Sequence, residues 1–172
     1  MSRAYKVVFI MAMLALISSC ATGPKVEPGS GSPPVIDEYY ASPTANYSKN
    51  WKIFIKAHDP DGDMWQVRFK IDQPYVLYHD NMGYSFLPKR AQKTMDGYFY
   101  MLTPFQRLPE GSVDLTVSVT LMDRARNTSQ TIKLPLSFGF DKKMEPDPEG
   151  YKDDGLLPIP YKIKSKFSSK ND

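Results

Sequence analysis

The chain has one cysteine and two histidines in 172 residues. A lone Cys20 has no second thiol to pair with, so the fold must stand on its core alone. Two histidines, His58 and His79, are too few for a convincing metal site, and neither sits in a recognisable ligand motif. A Gly-x-Ser-x-Gly elbow and a phosphate loop are both missing. The acid pair Asp153–Asp154 lies in a polar tail, where nothing would hold two carboxylates at a fixed separation. Long apolar runs are missing too: Val7 to Ile17 falls short of the roughly 18 to 20 residues that span a hydrocarbon core. Beyond that run there is no helical repeat. Together these absences argue against an enzyme and for a non-catalytic protein.

The first segment is informative. "MSRAYK" carries Arg3 and Lys6 with no acid, the apolar run follows, and Ser18 and Ser19 precede Cys20. This is the layout of a secretory signal peptide. The Ile-Ser-Ser-Cys end resembles the lipobox of bacterial lipoproteins. The resemblance implies that residues 1–19 are removed and that Cys20 is acylated. It also implies that Ala21, which is not aspartate, favours the outer membrane over the inner one. Each buried CH₂ contributes about 0.8 kcal/mol, so two or three acyl chains anchor firmly where one would not. The expected address is the cell envelope, with the membrane as the first partner. The mature chain would lose two of its 22 basic residues and keep its 19 acids, which leaves it nearly neutral. Neither its charge nor its compartment suits nucleic acid.

Residues 20–34, from the lipidated cysteine through "ATGPKVEPGSGSPP", are rich in Pro, Gly and Ser and read as a tether. The fourteen residues after Cys20 would reach about 20 Å as a coil and about 43 Å extended. Over residues 35–140 the texture changes to short alternating runs. "WKIFIKA" sets Trp51, Ile53, Ile55 and Ala57 on one face, with Lys52 and Lys56 on the other. "MWQVRFKI" sets Trp65, Val67, Phe69 and Ile71 inward, "SVDLTVSVTL" does the same from Val113 to Leu121, and "TIKLPLSF" from Ile132 to Phe138. Period-two patterning broken by "HDPDGD", "DNMG", "TMDG", "LPEG" and "DRARN" predicts seven or eight strands in an all-β, antiparallel two-sheet sandwich. Pro135, inside the last run, predicts an edge position or a bulge.

"NWKIFIKAHDPDGDMWQVRFKI" and "GSVDLTVSVTLMDRARNTSQTIKLPLSF" resemble the B–C and F–G hairpin regions of bacterial immunoglobulin-like, PKD-like and cadherin-like modules. "DRARNTS" is close to the recurrent Asp-x-Ala-Gly-Asn-x-Ser turn, with Arg126 where glycine is usual. The resemblance implies an immunoglobulin-like fold and says little about activity, because such sandwiches host many roles.

Two groups of residues are candidates for function. Asp59, Asp61 and Asp63 alternate as ligands of hard cations often do, and calcium takes six to eight oxygens. In cadherin-like families a related motif binds calcium together with a neighbouring domain, which this chain lacks. Pro60 and Gly62 also explain the stretch as a tight turn whose aspartates cap backbone N–H groups, and this simpler reading is preferred. Tyr75, Tyr78, Tyr98 and Tyr100 belong to an aromatic-dense stretch. If Phe99 and Met101 enter the core, Tyr98 and Tyr100 face outward. There they either pair across strands or bind a sugar ring or a protein. Residues 141–172 form a Pro- and charge-rich tail, read as disordered or loosely attached, in which only "LLPIPYKI" is apolar enough to dock, the alternative being that it binds a partner as an extended strand. The expected role is a lipid-anchored binding or scaffolding domain whose partner is another envelope protein. The alternative is a carbohydrate-binding module that uses the four tyrosines on peptidoglycan or surface polysaccharide.

Overall fold

The computed structural model describes residues 26–46, 49–74, 82–101, 111–152 and 155–159. Nine strands form: β1 (Val35–Ala41), β2 (Thr44–Ala45), β3 (Trp51–His58), β4 (Met64–Asp72), β5 (Met82–Phe86), β6 (Thr94–Met101), β7 (Ser112–Asp123), β8 (Ile132–Gly139) and β9 (Gly155–Pro158). They build a four-stranded sheet, β1-β3-β6-β9, and a five-stranded sheet, β2-β8-β7-β4-β5. The orders β1-β3-β6 and β8-β7-β4 are those of an immunoglobulin-like sandwich.

The core follows from the alternation. Trp51, Ile53, Ile55, Phe99 and Met101 of one sheet meet Val67, Phe69, Ile71, Val117, Val119, Leu121, Leu136 and Phe138 of the other, all fully or almost fully buried. Phe69 and Phe99 meet edge to face at 5.4 Å and link the two sheets. Trp51 is polar at one point, and its Nε1 donates to the Ser42 carbonyl at 2.7 Å.

Beyond the short strands β2 and β9, which raise the count among the described residues from the expected seven or eight to nine, three features depart from the sequence reading. First, the sheets are mixed. β2 runs parallel to β8, and β9 runs parallel to β6, the remaining pairs being antiparallel. Both exceptions are short flanking strands that lie far along the chain from the strands they pair with, so no hairpin dictates their direction. Second, the register of β4 shifts between Met64 and Gln66. The bulge turns Met64 into the core and leaves Trp65 half-buried, against Phe86 at 4.9 Å, instead of inward. Third, the tail is built into the domain as far as Ile159. Glu145 accepts from the Tyr40 hydroxyl and Asp147 from Lys52, each at 2.7 Å, and Tyr151 stacks against Phe54 at 5.6 Å. The Lys152 amide donates to Asp96, the Ile159 amide donates to the Tyr100 carbonyl, and the Ile159 side chain enters the core. Pro135 behaves as expected. The two residues of β2 pair only with Ser137 and Phe138, so among the described residues β8 is a sheet edge at Pro135.

Candidate metal centre

The antiparallel register of β4 and β7 sets Met64 opposite Asp123. The β3–β4 turn and the β7–β8 turn therefore meet at one pole of the sandwich. There Asp59, Asp63 and Asp123 each present a carboxylate oxygen, all within 4.8 Å of one another. Asp59 and Asp123 are 2% and 1% exposed. Two oxygens that share one calcium at 2.3–2.6 Å can sit up to about 5 Å apart, so the spacing fits a common ion.

Each carboxylate is held by its own turn. Asp59 Oδ1 accepts from the Asp61 and Gly62 amides at 2.8 and 3.1 Å, and Gly62 takes the positive φ of 75° that closes the turn. The capping role expected of these aspartates therefore holds for one oxygen of Asp59. Its other oxygen, Oδ2, is buried with no hydrogen-bond partner among the described residues. Asp123 is fixed by Asn127, whose backbone N–H donates to Oδ1 at 2.7 Å and whose side-chain amide donates to Oδ2 at 2.8 Å. Burial pushes the Asp63 carboxyl above its ordinary value, reinforced by the charges of Asp59, Asp123 and Asp61, while Arg124 opposes them. Three acids share a confined space that has no histidine or thiol among its ligands. Such a donor set suits a hard cation.

Asp61 does not join the cluster. Its Oδ2 accepts from the Ser32 backbone N–H at 2.5 Å. The same pole also holds the Ser30 carbonyl through the Asn127 side chain at 2.8 Å, and the Gly29 amide through the Ala125 carbonyl at 2.7 Å. Residues 29–32, expected to be free tether, are thus seated on the turns that carry the acids.

Asp123, not Asp61, is the third carboxylate of the cluster, and its turn carries no cation-type spacing of its own in the sequence. The signal was present in the pairing of the two alternating runs, which brings the start of one to the end of the other. Arg126 reaches φ 69°, so the turn keeps its geometry without the usual glycine.

Tyr98 and Tyr100 point outward, as Phe99 and Met101 are fully buried. They do not form an open platform. Tyr98 lies between Phe54 at 5.4 Å, Tyr100 at 6.3 Å and Lys52 at 4.4 Å, and Gly155 passes so close that a Cβ there would meet its hydroxyl at 3.1 Å. Tyr75, Tyr78 and Cys20 lie outside the described residues. No protein-family model matches the chain, and no curated protein is significantly similar to it.

Proposed function

We propose that this is a lipid-anchored, non-catalytic envelope protein whose sandwich binds calcium through Asp59, Asp63 and Asp123. One observation carries the metal reading: Asp59 Oδ2, buried and unpartnered, beside two further carboxylates. Leaving a charged oxygen buried without a partner is costly, and a divalent ion removes the defect and the mutual repulsion together. The ion would lock the two turns to each other. Because residues 29–32 bond to those turns, it would also set how the chain leaves Cys20 for the domain. Supporting the anchor is the apolar run ending in Ile-Ser-Ser-Cys. The role that follows is positional: a rigid module held near the bilayer to engage another envelope protein.

Thermal unfolding with and without millimolar calcium tests the site. At a hundredfold excess over the dissociation constant the gain is about 2.7 kcal/mol, which is a rise of several degrees for a domain of this size. Identical curves in calcium and in chelator overturn the metal reading. The anchor is tested separately: Cys20→Ser should release the protein from membranes and abolish palmitate incorporation.

A further inference from the structure

A sandwich has four sheet edges, and three of these four are blunted. β1 carries Asp37 and Glu38 within the strand, β2 is two residues long, and β9 has four residues and ends on Pro158. Charge, brevity and proline are the usual devices that stop an edge from recruiting another strand. β5 has neither charge nor proline: it reads Met-Gly-Tyr-Ser-Phe. Its outward side chains, Met82, Tyr84 and Phe86, are 68%, 60% and 54% exposed. Among the described residues β5 pairs with β4 alone, so its other side offers backbone donors and acceptors beside an apolar stripe.

We propose that β5 pairs with β5 of a second copy, antiparallel about a two-fold axis through Tyr84, fusing two five-stranded sheets into one of ten. The strand is its own complement in that register. Met82 falls opposite Phe86 of the other copy, Tyr84 opposite Tyr84, and Gly83 opposite Ser85, so large apolar groups meet on one face and small ones on the other. A slip by one residue would set Tyr84 against Gly83 or Ser85 and lose every large pair. Charge does not oppose the union. Arg68 and Lys70 sit one strand inward, opposite Tyr84 and Met82. They would face their counterparts across three strand spacings, about 14 Å, beyond the screening length of about 8 Å at physiological salt. With five residues a side the contact is small, so the dimer is reversible rather than obligate.

Cysteine crosslinking in the full chain decides the matter. The protein is purified in detergent with Tyr84→Cys or Met82→Cys and oxidised mildly, and the parent, whose one cysteine is Cys20, serves as control. Opposed Cα atoms at position 84 would lie within disulfide range, whereas the two copies of position 82 would be more than about 13 Å apart. The expected result is a disulfide dimer of Tyr84→Cys at least about fivefold above that of Met82→Cys, and a further severalfold loss when Phe86→Lys is added. Unchanged thermal unfolding of each variant shows that the domain is intact. Equal yields at both positions, no yield above the parent, or adducts only with a foreign protein would each overturn the proposal.

Discussion

The two outer faces of the sandwich start from similar sequence and end in opposite states. Phe54 and Phe86 both sit on outward positions of alternating runs. Phe54, on the four-stranded sheet, is 3% exposed because Tyr98, Tyr151 and the Lys52 stem close over it. Phe86, on the five-stranded sheet, is 54% exposed and touches only Trp65 and Tyr84 among rings of the described residues. What separates them is a segment about ninety residues downstream of Phe54, which, among the described residues, crosses one sheet and not the other. The tail thus covers the outer face it lies on. Truncation should expose this difference. Phe54→Ala should cost about 3–5 kcal/mol in denaturant unfolding, the range for a buried ring, while Phe86→Ala should change stability by no more than about 0.5 kcal/mol. Similar costs for both would erase the distinction.

The covering segment gives the next test. Ile159 is 3% exposed and packs into the core. A loosely attached tail predicts no effect of its removal. A built-in segment predicts that Ile159→Ala destabilises by about 2–4 kcal/mol. The anchoring bonds should also respond to pH. The Tyr40 hydroxyl is pushed up to about 12, chiefly by its bond to Glu145. A raised folded value means that its contribution is complete below about pH 10 and fades as pH rises toward 12. Tyr40→Phe should remove that portion of the alkaline loss.

The inward face was legible in the sequence because a period of two needs only local information. Trp51, Ile53, Phe69, Phe99, Leu121 and Phe138 all fall where alternation sets them. Trp65 did not, because a single inserted residue flips the pattern and nothing in "DGDMWQV" marks the bulge. Phe54, Tyr98 and the parallel strand β9 were illegible for a different reason: their surroundings come from residues far away in sequence. The metal centre falls between these cases. Asp59 and Asp63 stood out through their spacing, whereas Asp123 required the register of two strands that lie about fifty residues apart.

The acidic pole reverses the usual sign of a charge deletion, which sharpens the contrast between a site and a mere turn. In chelator the Asp63 carboxyl binds its proton more tightly in the folded state than in the unfolded one. Stability is then fullest below the ordinary carboxylate range and falls as pH rises through the elevated value. Asp63→Asn removes that liability and should leave the calcium-free domain slightly more stable than its parent, by an amount reduced by solvent screening of a half-exposed group. With calcium present the same change should erase the ion's gain and leave the variant less stable than its parent. A turn without a cation role predicts one sign under both conditions. Trp65, two residues from Asp63 and with the Arg124 guanidinium 5.9 Å from its ring, offers a fluorescence readout at the same pole.

Arg126 carries the smallest expected effect and a specific one. It is the single non-glycine residue with positive φ among those described, and it occupies the left-handed region at 69°. That conformation costs an ordinary side chain about 1–2 kcal/mol. The turn holds it there because the Arg126 amide donates to the Asp123 carbonyl at 3.3 Å and Asn127 closes on the Asp123 carboxylate. Glycine would relieve the strain but would gain freedom in the unfolded chain, which offsets much of the benefit. Arg126→Gly should therefore raise stability by less than about 1 kcal/mol and leave calcium affinity unchanged. A loss of more than about 1 kcal/mol would mean that the arginine side chain itself holds the turn. The strain would then be compensated locally at the very residue that bears it.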